Sequence, residues 1–351
     1  MAPYGICSVL SQRCNEILSS NYEKKNIVVI GYGWGGKSFV DTINKQKYNV
    51  TVISKDDKML NTTKLKNSII DSLNDKLFIN SHFNVKHIID ECIDIDKNNK
   101  IVTTKFKNIP YDYLVVSVGS ETNDFNIPGV KENCYFLKSV EDLHKLREAV
   151  KNTSKNLVIL GGGPAGIELA FQLSKKFSNI KIVEAMSTIL PMFNESTINI
   201  VKNELLKSNI TLELDNKVNK IDSNTIYTNK NNINYDLSIW TCGIKSNSLI
   251  KNLTDNKLVV DSNFKFSDSI FAIGDIVASK ELGPPTGQNA KQQGRHLAYY
   301  FNNNFEGKPY KYEEQCKIIH TKDWIVVETK YGSYRLPYFI EPIIDYFILE
   351  H

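Results

Sequence analysis

The chain has 351 residues, 41% hydrophobic and 23% charged, the balance of a folded protein long enough for two ordinary domains. Its 43 basic and 39 acidic side chains leave a formal charge of +4, which argues against the concentrated basic stripe of a nucleic-acid-binding protein. The six cysteines are scattered with no Cys-x-x-Cys pair; no metal site is expected, and the thiols suit a reducing compartment.

In chain order, Gly5–Leu10 is too short an apolar core for a secretory signal. Arg13 stands almost alone and Glu16 follows it, so a mitochondrial transit sequence has weak support. No apolar run reaches the roughly 18–20 residues needed to span a bilayer. Asn26–Ile30 reads as a buried parallel strand, followed by Gly31–Gly36, a helix over Lys37–Lys45 and a second strand over Asn49–Ser54. Val85–Asp94, Lys100–Phe106 and Tyr113–Ser117 read as further strands, with a hairpin turn at Asn98–Asn99. The opening grammar then repeats: strand Asn156–Leu160, glycine run Gly161–Gly166, helix Ile167–Lys176 and strand Ile180–Glu184. Strands over Thr211–Leu214, Ile239–Thr241 and Ser269–Ile273 follow, then Gly274-Asp275 and a long helix over Gln288–Asn302. The last 40 or so residues read as a small separate lobe. One duplicated β-α-β unit predicts an α/β fold with two Rossmann-like dinucleotide-binding domains and a short C-terminal lobe.

The glycine spacing carries the chemistry. A helix N-terminus offers unpaired N–H groups and partial positive charge to a pyrophosphate. The first glycine permits the tight turn, the second lets phosphate approach and the third lets helix pack on strand. These are Gly31, Gly33 and Gly36 in the first unit, and Gly161, Gly163 and Gly166 in the second. Glu184 ends the second unit's closing strand, where a carboxylate accepts from ribose hydroxyls and repels a 2′-phosphate, so NADH is preferred over NADPH. The ordinary alternative is a solvated strand-end glutamate. The first unit has Ser54 there, followed by Asp56 and Asp57, which does not identify a ligand by itself. Asp275, closing an apolar strand, can place a carboxylate beside a flavin ribityl chain.

Taken together, these stretches resemble the two-dinucleotide flavoprotein reductases, and within them the type II NADH dehydrogenases. Val28–Gly36 is similar to that family's tryptophan-containing FAD loop, and Pro110–Gly119 with Asn126–Val130 to its strand into the NAD domain. Gly161–Glu168, Val183–Ala185 and Ile189–Phe193 match its NADH unit. Trp240–Lys245, Phe271–Asp275 and Pro284–Gly294 complete the series. The resemblance implies a glutathione-reductase-like fold. Residues 24–120 and 240–305 would form a discontinuous FAD-binding domain, 121–239 an NADH-binding domain, and 306–351 a C-terminal region for membrane or dimer contact. It implies NADH oxidation coupled to quinone reduction without proton pumping.

On this reading Gly31, Gly33, Gly36, Ser54, Gly119 and Asp275 hold FAD. Gly161, Gly163, Gly166, Glu184 and Gly243 hold NADH. Glu168 would sit near the nicotinamide or quinone headgroup and help proton movement. Gln288 and Gln292, four apart on one helical face, would border the quinone entrance; two solvated glutamines are the ordinary alternative. Cys242 is read as packing. The resemblance also implies peripheral attachment to the mitochondrial inner membrane or to the cytoplasmic face of a membrane, and is compatible with a homodimer.

Three departures stand out. Lys55–Leu60 replaces the family's usual proline, arginine and aromatic run, Gly287 replaces an alanine, and the C-terminal region is short. There Ile340, Ile343, Ile344 and Phe347 form one helical stripe, suited to an interfacial anchor or equally to a core or dimer contact. Glu341, Asp345 and Glu350 oppose binding to anionic lipid. A disulfide reductase or sulfide–quinone reductase would need redox cysteines, and no Cys-x4-Cys follows Gly36. A reductase with another acceptor, or an NADH-sensing binding protein of low turnover, remains an alternative.

Overall fold

The computed structural model describes residues 24–70, 77–79, 84–153, 155–254, 257–278 and 281–345. The transit-sequence reading and the expectations for Phe347 and Glu350 lie outside them. Both glycine-rich segments fold as strand, turn, helix, strand. The first unit contains β1 (Lys25–Ile30), α1 (Trp34–Thr42), β2 (Tyr48–Ser54), β3 (Lys86–Ile89) and β4 (Tyr113–Val116). The second contains β5 (Asn156–Leu160), α2 (Pro164–Leu173), β6 (Asn179–Val183), β7 (Ile210–Glu213) and β8 (Leu237–Trp240). The chain then returns through β9 (Ile270–Ala272) and α3 (Gly287–Asn302). It ends in β10 (Lys317–His320), β11 (Ile325–Thr329), β12 (Gly332–Leu336) and the short α4 (Glu341–Asp345).

The first sheet has the order β9-β4-β1-β2-β3 and the second β7-β6-β5-β8; every pairing in both is parallel. Buried on both faces, their strands are runs of branched residues such as Ile27–Ile30 and Leu157–Leu160 rather than alternating ones. The return of β9 beside β4 adds a downstream strand to the first sheet. Ser120–Thr122 pairs antiparallel with Ile244–Ser246, so the two crossings between the units run side by side.

Two expectations shift in detail. Both helices start three residues early, at Trp34 and Pro164, because the last glycine of each loop already belongs to the first turn. Pro164 suits that place, since an N–H at the first helical position would lack a partner anyway. The strand expected over Val85–Asp94 is two strands. Asp90 turns the chain, its carboxylate accepting from the Glu91 N–H at 2.7 Å. Cys92–Asp96 then joins Ile101–Thr104 and Asn108–Pro110 in a separate antiparallel sheet. The C-terminal sheet β10-β11-β12 is antiparallel and packs on the second unit, where Ile319 and Val326 share a core with Ile159, Ile167 and Phe171.

Candidate active site between the two phosphate loops

Among the described helices of nine residues or more, the two that open at the glycine loops differ from the others in what caps them. Helix Val140–Asn152 is capped by the Ser139 side chain, helix Glu195–Lys207 by Asn194 and α3 by Thr286. The N-caps of α1 and α2 are Gly33 and Gly163, with no side-chain cap and no acid in the first turn. Their N–H groups and partial positive charge are left for an anion. A β-carbon added at Gly33 or Gly163 would meet nothing within 4 Å, so this backbone faces open space. At Gly36 and Gly166 it would collide with the carbonyl oxygens of Gly31 and Gly161. Gly31 and Gly161 themselves have φ of +92° and +114°, a left-handed backbone that side chains disfavour. The residues present therefore fit two dinucleotide pyrophosphates. In addition, the indole N–H of Trp34 is buried with no acceptor among the described residues.

The two strand ends beyond these loops are unlike. Glu184 accepts from the Gly162 N–H at 2.6 Å and the Met186 N–H at 2.8 Å, which aims its carboxylate at the second loop. Ser54 donates to the Asp56 carbonyl at 2.8 Å and lies 2.6 Å from His87 Nε2. Burial lowers the His87 pKa, with Asp57 opposing. Nothing local in the sequence links His87 to Ser54, 33 positions away. In the Lys55–Leu60 segment, exposed Lys55 pairs with Glu91 at 2.7 Å.

Asp275 is held from the other side. Its Oδ2 accepts from Ser120 Oγ at 2.9 Å, and Ser120 Oγ accepts from Lys138 Nζ at 2.7 Å. Burial pushes the Lys138 pKa down, against Asp275 and Glu121. Gln293 Oε1 accepts from the Gly274 N–H at 2.7 Å and so fixes the preceding residue. Gly119, left-handed at φ +68°, leads directly into Ser120. Gly243 lies apart from that group, against Phe125. Ser120, Lys138 and Gln293 were not read from the sequence; their pairings join residues far apart along the chain.

A chamber of about 300 Å³ lies where the units meet, walled by Thr62 and Lys66 from the first unit, Ala165 and Glu168 from α2, Gln288 from α3 and His320 from β10. Glu168 is ion-paired to Lys66 and accepts from His320 twice, from the backbone N–H at 2.9 Å and from Nδ1 at 2.7 Å. Burial alone would raise its carboxyl, but Lys66 and His320 outweigh that and hold it at about 2. Glu341 bonds Lys64 at 2.7 Å and lies 3.5 Å from His320 Nε2. The His320 bond leads in holding Glu341 at about 2, with Lys64 adding to it against burial. Burial disfavours the His320 imidazolium, yet the two carboxylates raise its pKa above the ordinary value. Lys64, Lys66 and His320 have no sequence signal, and Glu341 stands out in the sequence only as a charge opposing anionic lipid.

The two expected glutamines separate. Gln288 is on the chamber wall, accepting from Tyr312 Oη at 2.8 Å and donating to Gln315 at 3.0 Å. Gln292 instead bonds the Glu313 backbone in both directions, at 2.8 and 3.1 Å, and pins the incoming C-terminal segment to α3. A larger cleft of about 860 Å³ runs past Gly274, Val277, Pro284 and Pro285.

Four cysteines fall among the described residues, none in a disulfide. Cys316 is on the chamber wall as a single thiol, its pKa raised by burial. Burial also carries Cys242 to about 12 and Cys134 to about 11. Burial thus disfavours the thiolate at each of these three cysteines. At the C-terminal end Phe339, Tyr331 and Ile343 are 80%, 79% and 56% exposed. Ile340 and Ile344 are half-buried, and Glu341 turns inward to Lys64 and His320 rather than out to solvent. No helix among the described residues is long and apolar enough to cross a membrane.

Comparison with known proteins agrees with this geometry. Residues 25–294 match the family model described as pyridine nucleotide-disulphide oxidoreductase. A mitochondrial protein of Schizosaccharomyces pombe, named "Probable NADH-ubiquinone oxidoreductase", is 28% identical over 81% of this chain and 64% of its own length. The external NADH-ubiquinone oxidoreductase 2 of Saccharomyces cerevisiae mitochondria is also 28% identical, over 80% of this chain and 63% of its own length. The chain thus spans less than two thirds of these relatives. Among solved structures, NDH2 from Plasmodium falciparum in complex with NADH superposes with a TM-score of 0.83, covering 93% of this chain and 94% of that one at 20% identity. At that identity the likeness speaks for the fold.

Proposed function

Because the chain belongs to the pyridine nucleotide-disulphide oxidoreductase family, we propose that it is a type II NADH dehydrogenase, an FAD-dependent NADH:quinone oxidoreductase. The relatives' names support the activity and the quinone, and the α/β fold with two parallel sheets is that of the family. The observation that carries the reading is the pair of uncapped, glycine-opened helix N-termini whose units share one chamber wall. Bound FAD would supply the redox chemistry, taking two electrons from NADH and delivering them to a quinone.

The chain's residues supply position and charge. In this assignment residues 24–120 and 240–305 hold FAD. The α1 N-terminus at Gly33 takes its pyrophosphate, Asp275 its ribityl side, and Ser54 with His87 its ribose end. Residues 121–239 hold NADH, with the α2 N-terminus at Gly163 on the pyrophosphate, Glu184 on the ribose hydroxyls and Gly243 beside the ring end. Ala165 and Glu168 border the nicotinamide, and Gln288 borders the acceptor. Gln292 acts one step removed, by holding the segment that carries Cys316 and Ile318 to the chamber wall.

Attachment to a mitochondrial membrane through residues 306–351 belongs to the same proposal. The exposed Tyr331, Phe339 and Ile343 support an interfacial surface, and the inward turn of Glu341 removes one charge that would oppose it. Stopped-flow absorbance at the flavin band tests the activity. NADH should bleach the FAD-loaded protein, and a short-chain ubiquinone should restore the band. Bleaching that no quinone reverses would sink the quinone reading and leave a reductase with another acceptor.

A further inference from the structure

The C-terminal segment Tyr310–Gln315 is fixed to the first turns of α3 at four points. Tyr310 Oη donates to Asn289 Oδ1 at 2.6 Å and Tyr312 Oη to Gln288 Oε1 at 2.8 Å. The Glu313 backbone bonds the Gln292 amide in both directions, and Gln288 Nε2 donates to Gln315 Oε1 at 3.0 Å. The Tyr312 ring also lies on Gly283, where a β-carbon would come within 2.7 Å of it. Of these side chains only Gln288 is on the chamber wall; Tyr312 and Gln315 stand behind it.

We propose that Tyr312 and Gln315 are positioning residues: they fix which way the Gln288 amide points, so that the chamber meets one of its N–H groups and not its carbonyl. This rests on the acceptor reading above and adds the residues that determine what the wall offers. What it offers is a donor for a bare carbonyl oxygen, the group that a quinone carries and that its reduced product has converted to hydroxyl. Turning an amide by half a revolution exchanges donor for acceptor at nearly the same place. An amide on a chamber wall therefore recognises a carbonyl only if something behind it prevents that turn.

The sense of the turn is set from the helix N-terminus outward. The Thr286 hydroxyl caps α3 by accepting from the Asn289 N–H at 3.2 Å. A backbone N–H can only donate, so the hydrogen of Thr286 is left for Tyr312, whose hydroxyl it bonds. Tyr312 must then pass its own hydrogen on to Gln288. A phenol suits that role, because its oxygen shares a lone pair with the ring and accepts poorly. Burial raises the Tyr312 pKa to about 12, so the hydrogen stays in place. Gln288 Oε1 is thus taken by a donor, and Gln315 takes one of the two Nε2 hydrogens. The second Nε2 hydrogen is the one left for the chamber.

The test compares two ligands on the FAD-loaded full chain. Equilibrium dialysis without NADH gives the affinity for a short-chain ubiquinone and for the matching ubiquinol, and stopped flow gives the two half-reactions. Y312F keeps the ring on Gly283 and removes the hydrogen that holds Oε1. Ubiquinone affinity should fall about threefold to tenfold. Ubiquinol affinity should hold, because an amide free to turn offers a hydroxyl its carbonyl. The KM for ubiquinone should rise with kcat and the rate of bleaching by NADH unchanged. At the exposed Gln315, Q315E remains an acceptor and should keep the unaltered ratio of the two affinities, whereas Q315L should lower it. Both ligands are uncharged, so the added charge of Q315E bears on them alike. If NADH bleaches the unaltered protein and ubiquinone never restores the band, the acceptor reading fails and this inference with it. If the band recovers but Y312F binds both ligands as before, or loses both equally, or Q315E lowers the ratio as Q315L does, the positioning role alone is overturned.

Discussion

Gly294, midway along α3, lies against Gly35 in the first turn of α1, so closely that a β-carbon on Gly294 would collide with the Gly35 carbonyl oxygen. This contact joins the downstream Pro284–Gly294 motif to the helix that opens at the first phosphate loop. Glycine within a helix normally costs about 1 kcal/mol relative to alanine. Here the sign should reverse. G294A has to push the two helices apart and should destabilise by about 1–3 kcal/mol, as overpacking does. A thermal melt equal to or above that of the unaltered protein would refute the close packing.

With Asp275 on the flavin as proposed, the Lys138–Ser120–Asp275 chain makes flavin retention depend on a residue that need not touch flavin. S120A removes the donor that orients the Asp275 carboxylate. Hydrogen bonds to charged groups are worth about 1.5–3 kcal/mol, so FAD should bind roughly tenfold to a hundredfold more weakly. Fluorescence titration of the flavin-free protein with FAD measures this directly. Equal affinity in S120A and the unaltered protein would remove Ser120 from any positioning role.

Glu184 is already oriented at the second glycine loop by the Gly162 and Met186 N–H groups, so in the proposed site its charge meets the ribose without further movement. E184Q keeps the shape and removes the repulsion toward a 2′-phosphate. The ratio of kcat/KM for NADPH to that for NADH should rise by about tenfold or more, equivalent to roughly 1.4 kcal/mol. An unchanged ratio would return Glu184 to the status of a structural strand-end carboxylate.

The cluster at His320 also sets a pH window for stability. Glu168 and Glu341 titrate near 2 in the folded chain against an ordinary 4.5, so their contribution is full above 4.5 and is lost as pH falls from there through 2. His320 is shifted upward from 6.5, so its contribution is full below 6.5 and is lost as pH rises through the folded value. The two overlap between about 4.5 and 6.5, where thermal stability should peak. E341Q should flatten the acid side by about 1–2 kcal/mol after allowance for solvent screening. Melts near pH 3.5, 5.5 and 8 check this; a parallel loss in both proteins on acidification contradicts it.

What contiguous residues dictate is legible in the sequence itself. The two phosphate loops, the strands feeding them and Glu184 at a strand end are local events, because a glycine turn, a helix N-terminus and a strand register are set within about 25 residues of chain. The helices start three residues ahead of their periodic stretches for an equally local reason, since the closing glycines serve both loop and first turn.

The rest depended on where distant segments return. Gln288 and Gln292 share a helical face, yet one reaches the chamber and the other is taken by the Glu313 backbone 21 residues away. Asp275 depends on Ser120 across 155 positions, and Glu168 on His320 across 152. Glu168 is singled out only by the family resemblance of its stretch, and its ionisation belongs to Lys66 and His320. Charge pairs and buried hydrogen bonds act over a few ångströms of space regardless of separation along the chain. Sequence periodicity therefore built the two nucleotide folds of this protein, and only their packing determined which side chains stand between them.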